Sequence, residues 1–483
     1  MGFIGILVAL GLLIWLAYRG WSVLLLAPAA AILAAGLSGE PLLAHWTQTF
    51  MGSAARFIMQ FFPIFLLGAL FGKLMEDSGS VSAIADFMTD RLGPRRAMLA
   101  VVLAGALVTY GGVSLFVAFF VLAPMAHSLF RAAAIPKRLM PAAIALGTST
   151  FTMSALPGTP AIQNAIPMPF FGTTPFAAPG LGVIASLIML GFGLWWLARG
   201  ETSARKKGEG YGADEDTPVG VSENQIVRER ATTSGTFDPA EVRHGHQSDA
   251  APPIALAVLP LAIVIGVNLL MSLFVLPRHD ASYLADQFWG STSLSAVGGV
   301  WSVVTALATA IVTLIAVNYG RLPALRASMD AGANASVLPV LSVASLVGFG
   351  SVVAALPAFA MVRDWVLSID AGPLVSLAVA TNVLASLTGS ASGGLTIALD
   401  ALGGAYMRLA AEQGIDPALM HRVAVIGAGT LDSLPHNGAV VTLLAVCGST
   451  HRESYLDIVM VAIVGAFIAL ASVIALGSVF GSF

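Results

Sequence analysis

The stretch Ser154-Ala155-Leu156-Pro157-Gly158-Thr159-Pro160-Ala161 has a counterpart 278 positions later, Asp432-Ser433-Leu434-Pro435-His436-Asn437-Gly438-Ala439. We call residues 154–161 the first break and residues 432–439 the second break. The residues before each break also match at an offset of 280: Ile135, Leu139, Met140, Gly147 and Thr150 recur as Ile415, Leu419, Met420, Gly427 and Thr430. Each break lies inside an apolar stretch long enough to cross a bilayer.

The composition places most of this chain in a membrane. Of its 483 residues, 57% are hydrophobic and 10% are charged, and the mean hydropathy is +0.86. Soluble domains of this size do not have such a composition. The net charge of −3 is small and dispersed, which argues against a nucleic-acid partner. One cysteine, Cys447, excludes an intramolecular disulfide and a cysteine-based metal cluster. The sequence predicts no metal site and no cofactor.

The apolar segments predict an all-α polytopic membrane protein of two five-helix halves, residues 1–198 and 253–483. At about twenty residues per crossing, spans fall near residues 2–18, 21–37, 57–75, 139–170 and 180–198, and near 253–276, 293–318, 337–361, 421–447 and 454–478. Spans 139–170 and 421–447 contain the breaks and are predicted broken helices. Residues 199–252 are hydrophilic and predict a disordered cytoplasmic linker.

Each half has one further apolar segment, residues 97–131 and 373–411, which bends at a glycine-rich centre and predicts a re-entrant hairpin. We call residues 111–114 the first tip and residues 389–393 the second tip. Because five crossings is an odd number, the two repeats are expected to be inverted relative to each other. Basic residues on both sides of the first hairpin place its ends in the cytoplasm, and both chain termini then face the periplasm. The loop after the second hairpin, counted to include Arg422, has a weaker basic bias and is expected outside.

The two tips and the two breaks predict one shared cavity, because non-helical backbone at membrane depth needs protein or water to satisfy it. Pro and Gly interrupting corresponding segments of both halves are typical of a secondary transporter. The half-helix N-termini suit a carboxylate, and none of the four elements contains Lys or Arg. The candidate substrate-binding residues are Gly111, Gly112, Ser114, Pro157, Gly158, Thr159, Asn164, Gly389, Ser390, Ser392, Gly393, Ser433 and Asn437. Asn164 and Asn437 are expected to bind a substrate hydroxyl. For each small residue taken singly, helix packing is the alternative.

Asp432 and His436 are the candidate proton-coupling pair, because ionisable groups at membrane depth usually mark ion or proton pathways. The alternative is that Asp432 caps the half-helix after the break and His436 binds a freed carbonyl. Asp400 is a weaker candidate. Ser, Asn and backbone carbonyls at a break also suit sodium, so sodium coupling stays open. A passive channel and a membrane-embedded hydrolase are the other readings; the hydrolase needs a nucleophile next to a base.

Residues 105–114, 389–396 and above all Gly429-Thr430-Leu431-Asp432-Ser433-Leu434-Pro435-His436-Asn437-Gly438-Ala439 resemble the gluconate permease (GntP) family of the ion transporter superfamily. The resemblance covers nearly the whole chain and is greatest to the branch that transports short hydroxy acids such as 3-hydroxybutyrate. It implies an elevator-type proton symporter in the bacterial inner membrane, assembled as a homodimer. The implied partners are a small organic acid anion, protons or sodium, and membrane lipids. Gluconate and D-glycerate are the alternative substrates.

Overall fold

The structure is a computed structural model that describes residues 2–19, 21–212, 250–361, 372–435 and 437–483, with single positions at 248, 364 and 369. Within these residues every regular element is helical. This agrees with the predicted all-α class.

The first half begins with two short apolar helices and a long third one. A hairpin, an interrupted helix and a closing helix follow. Its elements are α1 (Gly2–Tyr18), α2 (Val23–Leu37), α3 (Leu42–Asp77), α4 (Ser80–Leu92), α5 (Ala97–Tyr110), α6 (Leu115–Ala132), α7 (Met140–Thr148), α8 (Phe151–Ser154), α9 (Ile162–Ala165), α10 (Pro167–Phe171) and α11 (Pro179–Lys206).

The second half follows the same order, except that α4 has no counterpart among its described residues. Its elements are α12 (Ile254–Arg278), α13 (Leu294–Asn318), α14 (Leu325–Ala335), α15 (Val337–Ala355), α16 (Pro373–Thr388), α17 (Ala391–Gln413), α18 (Pro417–Thr430), α19 (Gly438–Val446) and α20 (His451–Phe480). Helices α16 and α17 form the second hairpin, as α5 and α6 form the first.

Seven helices of the described chain are long and apolar enough to cross a membrane: α3, α6, α11, α12, α13, α14 together with α15, and α20. The sequence predicts ten spans. Six of the seven are predicted spans. The four predicted spans that are missing are α1 and α2, with only 17 and 15 residues, and the two broken helices, which are divided into shorter pieces. The seventh helix, α6, lies in the first predicted hairpin and is long enough to cross. The protein is therefore polytopic, with spans of unequal length.

Two predicted boundaries are wrong. Helix α3 starts at Leu42 and not near residue 57. Helix α11 continues to Lys206, so the first residues of the predicted linker are helical. Glu209, which follows that helix, accepts a bond of 2.9 Å from Arg138. The greater part of the predicted linker, residues 213–247, lies outside the described residues.

The repeated glycines Gly147 and Gly427 mark where each broken helix crosses the first leg of its hairpin. A Cβ atom at Gly147 would lie 2.4 Å from the carbonyl oxygen of Val102 in α5. A Cβ atom at Gly427 would lie 2.4 Å from Oγ1 of Thr381 in α16. Both distances are too short for a side chain, so each repeat needs glycine there. This close crossing brings each break beside a hairpin tip.

Candidate functional site

A cavity of about 300 Å³ lies where both tips and both breaks meet α3 and α15. The first tip contributes Gly112 and Ser114, and the first break contributes Pro160 and Ala161. The second tip and second break contribute Gly389, Ser390, Ser392, Asp432 and Asn437. The opposite wall is more apolar and includes Ile64 and Phe65 of α3 and Val343 and Leu346 of α15. This volume is at the small end of ligand pockets, which span roughly 300–1,000 Å³.

A more open surface depression of about 570 Å³ lies between α13 and α14, near Tyr319 and Asp330. It contains none of the predicted site residues. The enclosed cavity between the tips is the better candidate site, because it combines apolar walls with converging polar groups.

Four helices begin at the cavity wall. Leu115 of α6, Ile162 of α9, Ala391 of α17 and Gly438 of α19 are the first residues of their helices, and all four line the cavity. The first N–H groups of a helix have no partner within it and carry partial positive charge. The described part of the cavity wall contains no Lys or Arg. The N-termini of α6 and α9 have no side-chain cap, whereas those of α17 and α19 already donate to side chains.

The second tip and the second break are joined through Asp432 and Asn437. Oδ1 of Asp432 accepts hydrogen bonds from the backbone N–H of Ala391 at 2.8 Å and from Nδ2 of Asn437 at 2.9 Å. Nδ2 of Asn437 also donates to the Gly389 carbonyl at 2.9 Å. Oδ1 of Asn437 accepts from Ala439 N–H at 2.7 Å and so caps α19. Asp432 does not cap the half-helix after its break; its carboxylate instead satisfies the first N–H of α17.

Ser390 is the N-cap residue of α17. Its Oγ accepts from the Gly393 N–H at 3.2 Å and lies 3.2 Å from Oγ of Ser392. Both hydroxyls line the cavity. Gly393 does not line it, because its Cα faces α15: an added Cβ would lie 2.5 Å from Leu346. Gly393 therefore allows close packing and is not part of the wall.

The first break directs its polar groups into the protein. The Pro157 carbonyl accepts from the hydroxyl of Tyr110 at 2.7 Å. The Gly158 carbonyl accepts from Nδ2 of the fully buried Asn268, in α12, at 3.0 Å. Oγ1 of Thr159 accepts from the Ala161 N–H at 3.3 Å. Pro157, Gly158 and Thr159 are absent from the cavity wall.

Asn164 is fully buried behind the first break. Its Nδ2 donates to the carbonyls of Thr159 at 3.1 Å and Pro175 at 3.0 Å. Its Oδ1 lies 3.2 Å from Nε2 of His421 and 3.4 Å from Nη1 of Arg422. Every polar atom of Asn164 is therefore occupied. The expectation that it contacts a substrate hydroxyl does not fit this geometry.

Arg422 is fully buried in α18, which corrects its assignment to an external loop. Its Nη2 and Nε donate to the Ala177 carbonyl at 2.7 and 3.2 Å. Among the described residues no carboxylate forms an ion pair with it. The sequence pattern places Arg422 near a loop. The first two residues of α18, Pro417 and Ala418, are partly exposed, but Arg422 lies on the next turn, which is buried.

The remaining predicted residues lie outside the wall or outside the described chain. Gly111 packs on α12, where an added Cβ would lie 2.1 Å from Leu261. Ser433 is buried, and its carbonyl accepts from the Tyr455 hydroxyl at 3.2 Å. His436 lies outside the described residues. Asp400, in α17, accepts a hydrogen bond from Ser351 of α15 and does not line the cavity.

Five polar wall residues were missed by the sequence analysis: Thr109, Gln163, Ser336, Ser342 and Thr388. Thr109, Ser336 and Thr388 each donate to a backbone carbonyl three or four residues earlier. Gln163, at the start of α9, and Ser342, within α15, both line the cavity. Oε1 of Gln163 and Oγ of Ser342 are buried and have no hydrogen-bond partner among the described residues. Gln163 lies two residues after the first break and directly before Asn164, so the wrong one of two neighbouring amides was selected from the sequence. Ser342 lies in an unbroken helix, and no sequence signal singles it out.

A polytopic helical fold whose interrupted helices meet at an internal cavity is typical of secondary transporters. A family model for GntP family permeases matches residues 1–170. The chain is 41% identical over 488 residues to the uncharacterized transporter YxjC of Bacillus subtilis (strain 168), with 100% of each chain covered. The protein belongs to the GntP family of permeases. It is a multi-pass transporter of the bacterial inner membrane and not an enzyme, so the hydrolase reading is wrong.

Two further relatives match less of the sequence or only the fold. The chain is 38% identical over 106 residues to the high-affinity gluconate transporter of Escherichia coli (strain K12), which is 21% of this chain and 23% of that one. The solved structure of Neisseria gonorrhoeae MtrF, described as illuminating a class of antimetabolite efflux pumps, matches with a TM-score of 0.54 at 15% identity. That match covers 91% of this chain and 85% of MtrF, and it shows the fold alone.

Proposed function

We propose that this permease takes up a small hydroxylated monocarboxylate, such as 3-hydroxybutyrate, together with protons. The observation that carries the proposal is the uncapped N-terminus of α6, which meets the N-terminus of α9 on a described cavity wall without Lys or Arg. Such N-termini bind carboxylates through backbone N–H groups. The match to a gluconate transporter supports a hydroxylated organic acid as substrate.

The apolar part of the wall favours a short hydrocarbon chain over a fully hydroxylated one. Phe65, Leu115, Phe116 and Ile162 line the same cavity as the helix N-termini. A carboxylate at the N-termini would direct the rest of the molecule toward these side chains. Gluconate has a hydroxyl on most of its carbons and would leave more polar groups against apolar surface, at a cost in desolvation. Gluconate and D-glycerate are the alternatives that the same site accommodates less well.

Asp432 carries the proposed coupling to protons. It is the one ionisable side chain in the described cavity wall. A charged Asp432 repels a second carboxylate in the same small volume, whereas a protonated Asp432 does not. Substrate and proton would therefore bind together. Sodium held by the Ser390 and Ser392 hydroxyls and nearby carbonyls is the alternative coupling ion.

The transport motion is part of the same proposal. Apart from α4, the two halves share one order of elements, which supports an inverted repeat. The hairpins and broken helices, roughly residues 97–198 and 373–483, would move as one body against the remaining helices in an elevator mechanism. The cavity is formed between these two groups of helices, with α3 and α15 as its other wall. A homodimer held by the stationary helices would provide a fixed frame in the lipid.

The test uses purified protein in liposomes with an inward proton gradient and labelled 3-hydroxybutyrate. We expect accumulation above equilibrium that a protonophore abolishes and that lactate or glycerate reduces more than citrate does. A passive channel would equilibrate the label without concentrating it. Uptake driven by a sodium gradient and not by a proton gradient would show that sodium is the coupling ion. Folded protein that accumulates none of these acids under either gradient would contradict the proposal.

A further inference from the structure

The cavity wall contains two buried polar atoms that the protein leaves without partners. They are Oε1 of Gln163, at the start of α9, and Oγ of Ser342, in α15. Ser342 is only 4% exposed. Buried polar atoms in folded proteins nearly always have a hydrogen-bond partner, and leaving one without a partner is costly. Two such atoms in one small cavity point to a polar group that binds there.

Many other helical hydroxyls do not behave like Ser342. Thr148, Ser186 and Thr396 each donate to the carbonyl four residues earlier, at 2.8, 2.8 and 2.7 Å. A Ser or Thr hydroxyl inside a helix commonly donates to a carbonyl of the preceding turn in this way. Among the described residues, Ser342 forms no such bond. Thr442 and Ser454 also have a buried hydroxyl without a partner among the described residues, but neither lines the cavity. The Ser342 hydroxyl is therefore available to a ligand.

The residues expected to bind a substrate hydroxyl are occupied elsewhere. Asn437 uses its amide oxygen to cap α19 and its amide nitrogen to hold Gly389 and Asp432. Asn164 is fully buried and bonded at both ends of its side chain. Recognition of a hydroxyl must therefore fall on other side chains of the wall.

We propose that Gln163 and Ser342 together recognise the hydroxyl group of the substrate. The substrate hydroxyl would donate to Oε1 of Gln163 and accept from the Ser342 hydroxyl. The opposite amide orientation works equally well, because a hydroxyl both donates and accepts. The inference rests on the proposed function, since it assumes a carboxylate at the helix N-termini. In this proposal, Gln163 and Ser342 determine the selectivity of binding for hydroxy acids over the corresponding acids without the hydroxyl.

The predicted effect is a change in selectivity. An acid without the hydroxyl leaves both buried atoms unpaired, so a site built this way rejects it. We expect the wild-type protein to prefer 3-hydroxybutyrate over butyrate by at least roughly tenfold, on the scale of such hydrogen-bonded discrimination. Gln163→Met and Ser342→Ala remove the polar atoms with little change of size. Each should reduce the preference severalfold by weakening 3-hydroxybutyrate binding, while butyrate binding stays the same or improves.

The measurement is the ratio of the concentrations of butyrate and 3-hydroxybutyrate that halve uptake of a labelled substrate in liposomes. Ser186→Ala is the matched control, because Ser186 is buried but bonded within α11. Ser342→Thr retains a hydroxyl and should restore the ratio. If Gln163→Met does not fold, Gln163→Leu replaces it.

Failure of this inference can be told apart from failure of the proposed function. Wild-type protein that transports no carboxylate contradicts the proposed function itself. Active variants with the wild-type ratio would overturn the role of the pair in recognising a hydroxyl. Variants that lose binding of both acids equally would also overturn it, because the pair would then support the whole site and not the hydroxyl contact.

Discussion

The second break directs an acid and an amide toward the cavity, whereas the first break directs its polar groups into the protein. At the repeat offset of 278, Thr159 corresponds to Asn437 and Ser154 corresponds to Asp432. The side-chain oxygens of Thr159 and Asn437 make the same contact, because each accepts from the backbone N–H two residues later. Ser154 bonds to the Thr150 carbonyl of its own helix, whereas Asp432 reaches across to Ala391 in the second hairpin. The two breaks thus share this backbone contact. Asp432 and the amide nitrogen of Asn437, which have no equivalent in Ser154 and Thr159, bind the second break to the second tip.

The largest expected effect comes from neutralising Asp432. Asp432→Asn retains an oxygen that can accept from Ala391 and Asn437 but removes the charge, so the join between tip and break should survive. We expect loss of proton-driven accumulation and partial retention of substrate exchange.

The measurement compares gradient-driven uptake with counterflow in the same liposomes. Asp400→Asn is the matched control, because Asp400 bonds to Ser351 away from the cavity. Unchanged accumulation by Asp432→Asn would show that Asp432 does not couple transport to protons. The two breaks would then not differ in function in the way proposed.

The next effect concerns the first break and is one of stability. Arg422→Met leaves the Ala177 carbonyl without its donors and removes a contact with Asn164. We expect the free energy of unfolding to fall by about 2–4 kcal/mol, the cost of buried polar groups losing their partners. The thermal midpoint in detergent should fall accordingly. Arg408→Met, at an exposed position of α17, is the control and should change little. Equal stability of both variants would show that the buried network does not support the first break.

A moderate effect is expected at the second tip. Ser390→Ala removes the N-cap of α17, which costs about 1 kcal/mol, and Ser392→Ala removes a second hydroxyl from the wall. Substrate affinity should fall by roughly three- to tenfold in either variant, on the scale of one lost hydrogen bond. Thermal stabilisation by substrate in detergent measures this. Ser386→Ala, at an exposed position of α16, is the control. Normal binding by both tip variants would make the second tip a packing element.

The smallest effect is expected at the first tip. Tyr110→Phe removes one hydrogen bond, to the Pro157 carbonyl. We expect a loss of about 1 kcal/mol in stability and no change in substrate affinity, because neither residue lines the cavity. A change in affinity larger than the change in stability would show that the first break also reaches the substrate.

The sequence located the hairpins and the interrupted helices, because these elements contain residues that disfavour a continuous helix. Pro and Gly occur together at both breaks and glycines cluster at both tips, which disfavours a continuous helix there. Single prolines are a weaker signal, because Pro63, Pro124 and Pro260 lie inside helices. The convergence of the tips and breaks followed from the need to satisfy non-helical backbone inside a membrane. The all-helical class and the family are confirmed; the inverted repeat and the roles of the site residues stay predictions.

What the sequence could not supply is the direction in which each side chain points. Gln163 and Asn164 are neighbours, yet one lines the cavity and the other is fully buried. Ser342 looks like any small residue in an apolar helix, and Arg422 looks like a charge at a loop. Such differences depend on how helices from both halves pack, and this packing has no local signature in the chain.

The bond between Asn268 and the Gly158 carbonyl joins α12 to the first break in a place that water does not reach. Sliding one of these elements past the other separates an amide from a carbonyl before either has a substitute. In the proposed elevator motion, leaving the described state would then cost the free energy of one buried hydrogen bond. Asn268 would therefore slow the rate at which the carrier leaves this state, and it would not change the substrate selectivity.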